Sequence, residues 1–334
     1  MSRAVIGWWL GQSTAAAARF AGNEPAAPDR DAARPIQPGG GTAELVSCIT
    51  ELARDVGSGP GASHAVVLGH DWSAGFATLG AAVSCALDGF AAALPGAPLY
   101  LLTVDGELAV PESVRTEPLR VAGACWAAAA ALAAEVYPDA LYVAVGPSRT
   151  ELVSLSGGAI AAAGRTDAER LLAGELLPTG VHTSPVESLL GEVPLWDGTV
   201  AIIPGIAVMA DVHVWRGALA PGSVTVDGRP LTHARAGQRL ARAVGGDRDF
   251  IDETAVGLIA AALARAQVNR VRQAIERAIA SQPGRTVLVT GPGAFVATEA
   301  TRGLELDVIR WKGRPELLTP EAAVGWLLAQ EPNE

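Results

Sequence analysis

The stretch DALYVAVGPSRTELVSLSGGAIAAAGRTDAERLLAGELLPTGVHTSP, residues 139–185, decides how the rest of the chain is read. Residues 141–145 are apolar and β-branched, 146–150 form a turn, and 151–155 run outward again. Gly157 and Gly158 make a second turn, and 159–163 read as a third strand. Three short antiparallel strands therefore lead into the polar loop GRTDAER (164–170) and then into GELLPTGVHTSP (174–185). Functional loops often sit where such a rigid sheet ends. A plain surface meander with a polar tail is the other reading of the same residues.

Outward from this stretch the chain repeats the plan. RAVIGWWL (3–10), a turn at 11–14 and a returning strand at 15–22 form a second strand–turn–strand. Residues 23–41 hold four prolines and three consecutive glycines and read as a loose connection. Apolar residues at helical spacing predict a helix over 42–56 with Thr42 as its cap, and further helices over 77–94 and 121–137. Strands are expected at 64–68, 99–104, 199–204, 286–290 and 305–309. Later helices are expected at 206–216, 234–244, 251–279, 298–302 and 320–330, with a Gly291-Pro292-Gly293 turn between the last sheet elements. Each half thus begins with a tight β-meander and continues in βα units. That is the plan of the two-domain, ribonuclease H-like fold of the actin-like ATPases, an α/β class. The expected division is a first domain at 1–120, a connecting helix at 121–138 and a second domain at 139–334. Backbone N–H groups of Gly146, Gly291 and Gly293 could make anion-binding nests, or the GPG turn could be a plain strand-to-helix connection.

Composition bounds the function. The 334 residues are 49% hydrophobic and 18% charged, enough to bury a large core. A formal net charge of −10 with no clustered Lys/Arg face argues against a nucleic-acid binder. Cys48, Cys85 and Cys125 lie far apart without CxxC spacing, which fits small buried hydrophobes in a reducing cytoplasm. The N-terminal residues lack the pattern of a signal peptide, and no apolar run is long enough to span a bilayer. A soluble cytoplasmic protein without a membrane partner is the expectation.

The residues also carry a resemblance. IGW (6–8), DGELAVPES (105–113), VAGACWAAAA (121–130), GRTDAERLLAGELLPTGVHTSPV (164–186), MADVH (209–213), TVDGR (225–229) and RLAR (239–242) resemble the hydantoinase/oxoprolinase-like branch of the actin-like ATPase fold. Within it they are most similar to the tetrahydromethanopterin-linked one-carbon transfer proteins and the methanofuran-biosynthesis transferases. Such a transferase would join an aminomethylfuran-methyl diphosphate to the phenol of a glutamyl-tyramine acceptor, with Mg²⁺ holding the diphosphate that leaves. The first hairpin turn of that family reads roughly WDIGGANLKAA; here Trp9, Gln12 and Ala16 replace its aspartate, second glycine and lysine. The second reads roughly DMGSTTTD; here Ala144 replaces the leading aspartate, and Pro147 removes a backbone donor. Two arginines of the family's YTGVRRTP are His182 and Thr183, an asparagine and a histidine are lost within 122–127, and an Asn-Glu pair aligns with Ile203-Pro204. Losing one such charged contact from a desolvated site typically costs ~2–5 kcal/mol of binding.

The resemblance leaves Arg165, Asp167, Glu169, Arg170, Glu175, Thr179 and Asp211 on matched positions. Glu175 and Asp211, each in an apolar stretch, are the catalytic candidates. Arg165, Asp167 and Thr179 are the substrate- or anion-binding candidates, together with Gly146, Gly291 and Gly293. Two structural readings stand beside these. GRTDAER could be a helix start capped by Thr166, with its acids favoured by the helix dipole. Asp211 could form a bridge to Arg216 or Arg239. Asp211 and His213 make a DVH pair, which is no metal signature, so no metal is assigned. His70-Asp71-Trp72 follows a strand without further marks, and no GxSxG elbow supports a serine hydrolase. The favoured reading is a degenerate subunit that binds no cofactor itself and works beside an intact paralogue. The alternatives are an active transferase, or a repurposed apolar pocket built from Trp8, Trp9 and Trp126. The hydrophobic fraction and eight tryptophans predict an oligomer, with a paralogue or with itself.

Overall fold

The structure is a computed structural model that describes residues 4–22, 27–37, 39–224, 228–280, 284–312, 317 and 319–331. The chain divides into two compact units, one of 1–139, 155–172 and 312–334, the other of 140–154 and 173–311. The sequence-based division placed everything after 138 in one domain, whereas here 155–172 and 312–334 join the first unit.

Unit 1 is built on β1 (Val5–Leu10), β2 (Thr14–Phe20), β3 (Arg30–Pro35), β4 (Ser63–Leu68), β5 (Leu99–Leu102) and β6 (Leu108–Ala109), in the order β3-β2-β1-β4-β5-β6. β1 pairs antiparallel with β2, Leu10 facing Ala15, and parallel with β4, Leu10 facing Leu68. On one face, α1 (Thr42–Asp55) and α2 (Leu79–Ala93) bury Leu45, Ile49, Leu52 and Phe90 against Ile6, Trp8 and Leu10. α1 starts from Gly41, not from a capping Thr42, whereas the Thr78 hydroxyl accepts from Ala81 N–H and caps α2. The residues between β2 and α1 are not only a loose connection. Arg30–Pro35 forms the edge strand β3, whose Ala33 and Ala32 lie opposite Ala16 and Ala17. α3 (Pro111–Thr116) and α4 (Cys125–Val136) complete the N-terminal run.

In unit 2, β7 (Ala140–Val145) and β8 (Thr150–Ser156) form the expected hairpin. The third strand differs from expectation. β9, which belongs to unit 1, is only Ala159–Ile160, pairing with Ser156 and Leu155. The strand that flanks the other end of β8 is β10 (Leu176–Leu177), reached after α5 (Asp167–Ala173). The hairpin of β11 (Glu192–Leu195) and β12 (Gly198–Ala201) precedes α6 (Met209–Trp215). A small pair, β13 (Gly222–Val224) and β14 (Pro230–Leu231), leads to α7 (His233–Ala243) and α8 (Glu253–Ile279). Thr225, Val226 and Asp227 of the TVDGR stretch lie outside the described residues. β15 (Thr286–Thr290) joins β7 in parallel, followed by α9 (Ala294–Ala300) and β16 (Asp307–Arg310). The sheet runs β10-β8-β7-β15-β16, the same order of antiparallel and parallel neighbours as β3-β2-β1-β4-β5. The last helix, α10 (Pro320–Gln330), returns to unit 1 and packs on β1 and β2. Gly7 and Gly325 face each other there, and a Cβ on Gly7 would strike backbone atoms of Glu321 and Gly325. Among the described residues no helix is long and apolar enough to cross a membrane.

Candidate functional site

Each sheet ends at a hairpin turn on which the sequence reading placed its expectations. In unit 1 the turn after β1 is covered by a side chain. A Cβ on Gly11 would lie 2.5 Å from the Trp9 indole ring, so the ring rests directly against that backbone. Trp9 Nε1 also lies 3.0 Å from the point a Gly69 Cβ would take, just past β4, with Asp71 Oδ1 2.7 Å from it. Gly11 N–H is already used by Thr14 C=O at 2.9 Å, and Gly69 N–H by Leu10 C=O at 2.8 Å. The Trp9 indole thus lies against the backbone of this turn.

In unit 2 the turn after β7 is roofed by backbone. Gly146 N–H donates to Arg149 C=O at 2.8 Å, and its own C=O accepts from Val181 N–H at 3.0 Å. Pro147 has no donor and its carbonyl accepts from His182 and Thr183. Gly180 lies so close that a Cβ there would be 2.5 Å from Gly146 O and from Ser148 N. Ser184 Oγ donates to Ser148 C=O at 3.2 Å and accepts from Gly180 N–H at 2.7 Å. The Gly291-Pro292-Gly293 turn packs on the end of β7. Gly293 N–H donates to Val145 C=O at 2.9 Å, and Gly291, at φ +84°, could carry no Cβ without approaching that carbonyl to 2.6 Å. Close packing on β7 is therefore a sufficient reason for glycine at both positions.

The structure brings Gly146, Thr179, Gly291 and Gly293 together in unit 2. Thr179 is fully buried and its hydrogen bonds are internal. Its C=O accepts from Thr150 Oγ1 at 2.7 Å, and its Oγ1 from Gln267 Nε2 at 2.9 Å. The same Gln267 Nε2 reaches Gly180 C=O at 2.9 Å, while Gln267 Oε1 is 2.8 Å from His213 Nε2. Because Oε1 can only accept, His213 carries its proton on Nε2. Burial pushes the His213 imidazole down to about 4, with the Gln267 bond acting in the opposite direction. This buried chain escaped the sequence reading. Its one signal is a glutamine on the apolar stripe of α8, between Leu263 and Ala264 and then Val271 and Ala274.

Asp211 is 0% exposed and paired with Arg239, which is 4% exposed. Arg239 Nε donates to Asp211 Oδ1 at 2.8 Å, and its terminal nitrogen is 2.7 Å from the same oxygen. Asp211 Oδ2 accepts from Val208 N–H at 3.0 Å and closes the start of α6. Of the two partners weighed for a bridge, Arg239 is the one it meets. Glu175 is half-buried, and its backbone C=O accepts from Leu152 N–H at 2.7 Å.

Arg165 and Asp167 belong to unit 1. Arg165 is 67% exposed at its side chain, 3.5 Å from Asp105. Its backbone N–H and that of Thr166 donate to Glu169 Oε2, both at 2.9 Å, and Thr166 Oγ1 accepts from Glu169 N–H at 3.3 Å. This is a capping box at the start of α5, and the N–H of Thr166, then that of Arg165, hold the Glu169 carboxyl below its usual range. The Arg170 guanidinium is fully buried 3.8 Å over the Trp126 ring. The three tryptophans build no shared pocket. Trp8 is buried in the core, donating from Nε1 to His64 Nδ1 at 3.0 Å, while Trp126 carries Arg170 and Trp9 covers Gly11.

The donors required by Mg²⁺ and a diphosphate do not fit either turn. Mg²⁺ takes carboxylate oxygens with substrate phosphates, and the two turn positions hold Trp9 and Ala144. Among the described residues no group of three or more His, Cys, Asp and Glu is arranged to hold a metal ion.

Comparison with known proteins adds two findings. No protein-family model matches the chain. The (4-{4-[2-(gamma-L-glutamylamino)ethyl]phenoxymethyl}furan-2-yl)methanamine synthase of Methanocaldococcus jannaschii is 23% identical over 244 residues, covering 70% of this chain and 73% of that protein. Among solved structures, nucleotide-free acetone carboxylase superposes with a TM-score of 0.50 at 10% identity, over 98% of this chain and 70% of the other. The fold is that of the actin-like ATPases. A ROK hexokinase from Thermus thermophilus is similar at a TM-score of 0.44 and 16% identity, over 98% of this chain and all of that one. In the actin-like frame, the indole over Gly11 and the loop over Gly146 occupy the two hairpin turns.

Proposed function

We propose that the chain is a catalytically degenerate relative of the methanofuran-type synthase, acting as a subunit beside an intact paralogue in tetrahydromethanopterin-linked one-carbon metabolism. The observation that carries this reading is the Trp9 ring lying against Gly11, where a phosphate or its metal would need space and a carboxylate. The covered second turn points the same way, since Gly180 packs directly on Gly146 and Ser148 and the turn's carbonyls accept from residues 181–184. The Methanocaldococcus relative supports the pathway assignment through similarity over most of both chains. The scaffold is kept and the charged contacts are not.

The test is calorimetric. The chain alone is expected to bind Mg·ATP or Mg·diphosphate no better than about millimolar, some 4 kcal/mol of standard binding free energy. Micromolar binding of either would overturn the degenerate reading. Co-expression with a paralogue that keeps both turn aspartates is expected to give a complex, with ether formation lost when the paralogue's aspartates are replaced. Ether formation by the purified chain alone would make it the enzyme.

A further inference from the structure

We infer that the exposed pair Trp196–Phe250 on unit 2 is a docking point for an arginine-bearing segment of another protein. The inference rests on a juxtaposition independent of the hairpin turns. Trp196 is 60% exposed and Phe250 68%, yet the two rings meet edge to face, with centroids 5.2 Å apart and planes at 84°. Trp196 is the first of two residues joining β11 to β12, and among the described residues it is the only non-glycine with positive φ, at +49°. Tight hairpins that need this conformation normally use glycine or asparagine. A bulky side chain held there against its backbone preference, and facing solvent, contributes little to the fold. Strain of this kind concentrates where a side chain has to be presented.

The charge around the pair identifies the occupant. Asp197 follows Trp196 and Asp249 precedes Phe250, and both are exposed. The cation adjacent to Asp249 is already engaged: Arg248 donates to Ile251 C=O at 2.8 Å and lies 5.3 Å over Trp215. Phe250 itself is fixed by the turn, its N–H and that of Asp249 both donating to Asp247 Oδ1. A guanidinium can stack on an indole face while its N–H groups reach carboxylates, which a hydrated ammonium does less well. A second copy of this chain meeting itself across a two-fold axis would bring the same aspartates face to face. The surface therefore selects a basic partner over self-association.

The test uses the full chain and fluorescein-labelled hexa-arginine, with hexa-lysine and hexa-glutamate as controls, read by anisotropy at about 0.15 M salt, where long-range attraction is screened. Hexa-arginine is expected to bind, hexa-lysine more weakly and hexa-glutamate not at all. Trp196→Gly leaves the net charge untouched and suits the backbone, so it is expected to weaken binding about tenfold or more while the melting temperature holds or rises. The double change Asp197→Asn, Asp249→Asn is expected to weaken it similarly. Equal binding by Trp196→Gly would place the peptide on some other acidic face and overturn the inference. So would a fall in melting temperature, which would make Trp196 a structural residue. A wild-type dimer that becomes monomeric in Trp196→Gly by sedimentation velocity would assign the surface to a second copy instead.

Discussion

Replacing Arg239 by Met separates the two roles open to Asp211. In the structure Asp211 Oδ1 accepts from Arg239 Nε at 2.8 Å and lies 2.7 Å from its terminal nitrogen, and Oδ2 accepts from Val208 N–H. With Asp211 at 0% exposure, removing the guanidinium strands a carboxylate among Val208, Val212 and Leu240, which are all buried. Breaking a buried pair from one side costs ~3–5 kcal/mol, because the remaining charge loses its counter-ion without regaining water. Removing both partners, as Asp211→Leu with Arg239→Met, replaces the pair by apolar groups of similar size. It leaves the Val208 N–H without its acceptor, a loss of ~1–3 kcal/mol. The double variant is thus expected to be about 2 kcal/mol more stable than either single variant, so that the two changes are strongly non-additive. The assay is equilibrium unfolding in urea, followed by tryptophan fluorescence, on the wild type and the three variants. If Arg239→Met cost under about 1 kcal/mol and the changes were additive, the Asp211 carboxylate would be hydrated in the native state. It would then be a site group rather than a bridge.

Two further outcomes follow from the buried chain in unit 2. Gln267→Leu removes three hydrogen bonds and leaves Thr179 Oγ1, Gly180 C=O and His213 Nε2–H without that partner. A loss of roughly 3 kcal/mol is expected in the same unfolding assay, and a cost near zero would show that the amide is dispensable. For His213, the folded value of about 4 lies below the ordinary 6.5, so the unfolded chain binds the extra proton between them. Stability is therefore full above pH 6.5 and falls as the pH drops toward 4, and His64, also held near 4 by burial, acts in the same sense. His213→Gln is expected to flatten that slope by about one proton, and an unchanged slope would refute the assignment.

Long periodic elements were legible from residues alone. The α8 stripe, the β7–β8 hairpin and the apolar β15 run appear where their patterns put them. β3 was not legible, because RDAARP has the polar, proline-ended composition of an exposed edge strand, a pattern shared with loops. The short third strand at 159–163 was over-read because an alanine run fits a helix, a strand or a coil equally well. Within the candidate site, the cap formed by Thr166 and Glu169 could be foreseen from its three-residue spacing. The bond from Gln267 to Thr179 spans 88 residues, and no local pattern announces it. Nor does any local pattern show that Trp9 folds back over Gly11, since the substitution alone says only that a carboxylate is missing.

The return of α10 to unit 1 has a consequence for synthesis. β1 leaves the ribosome long before the helix that seals Gly7 and the Ala18–Phe20 face of β2, which ends near residue 330. At 5–20 residues per second, roughly 10–40 s separate residue 139 from that helix. During this interval the nascent β1–β2 hairpin carries an uncovered apolar face, while residues 173–311 emerge as one uninterrupted run. The N-terminal sheet must therefore wait for the last helix, and a holdase that shields it until then would raise the yield of folded chain.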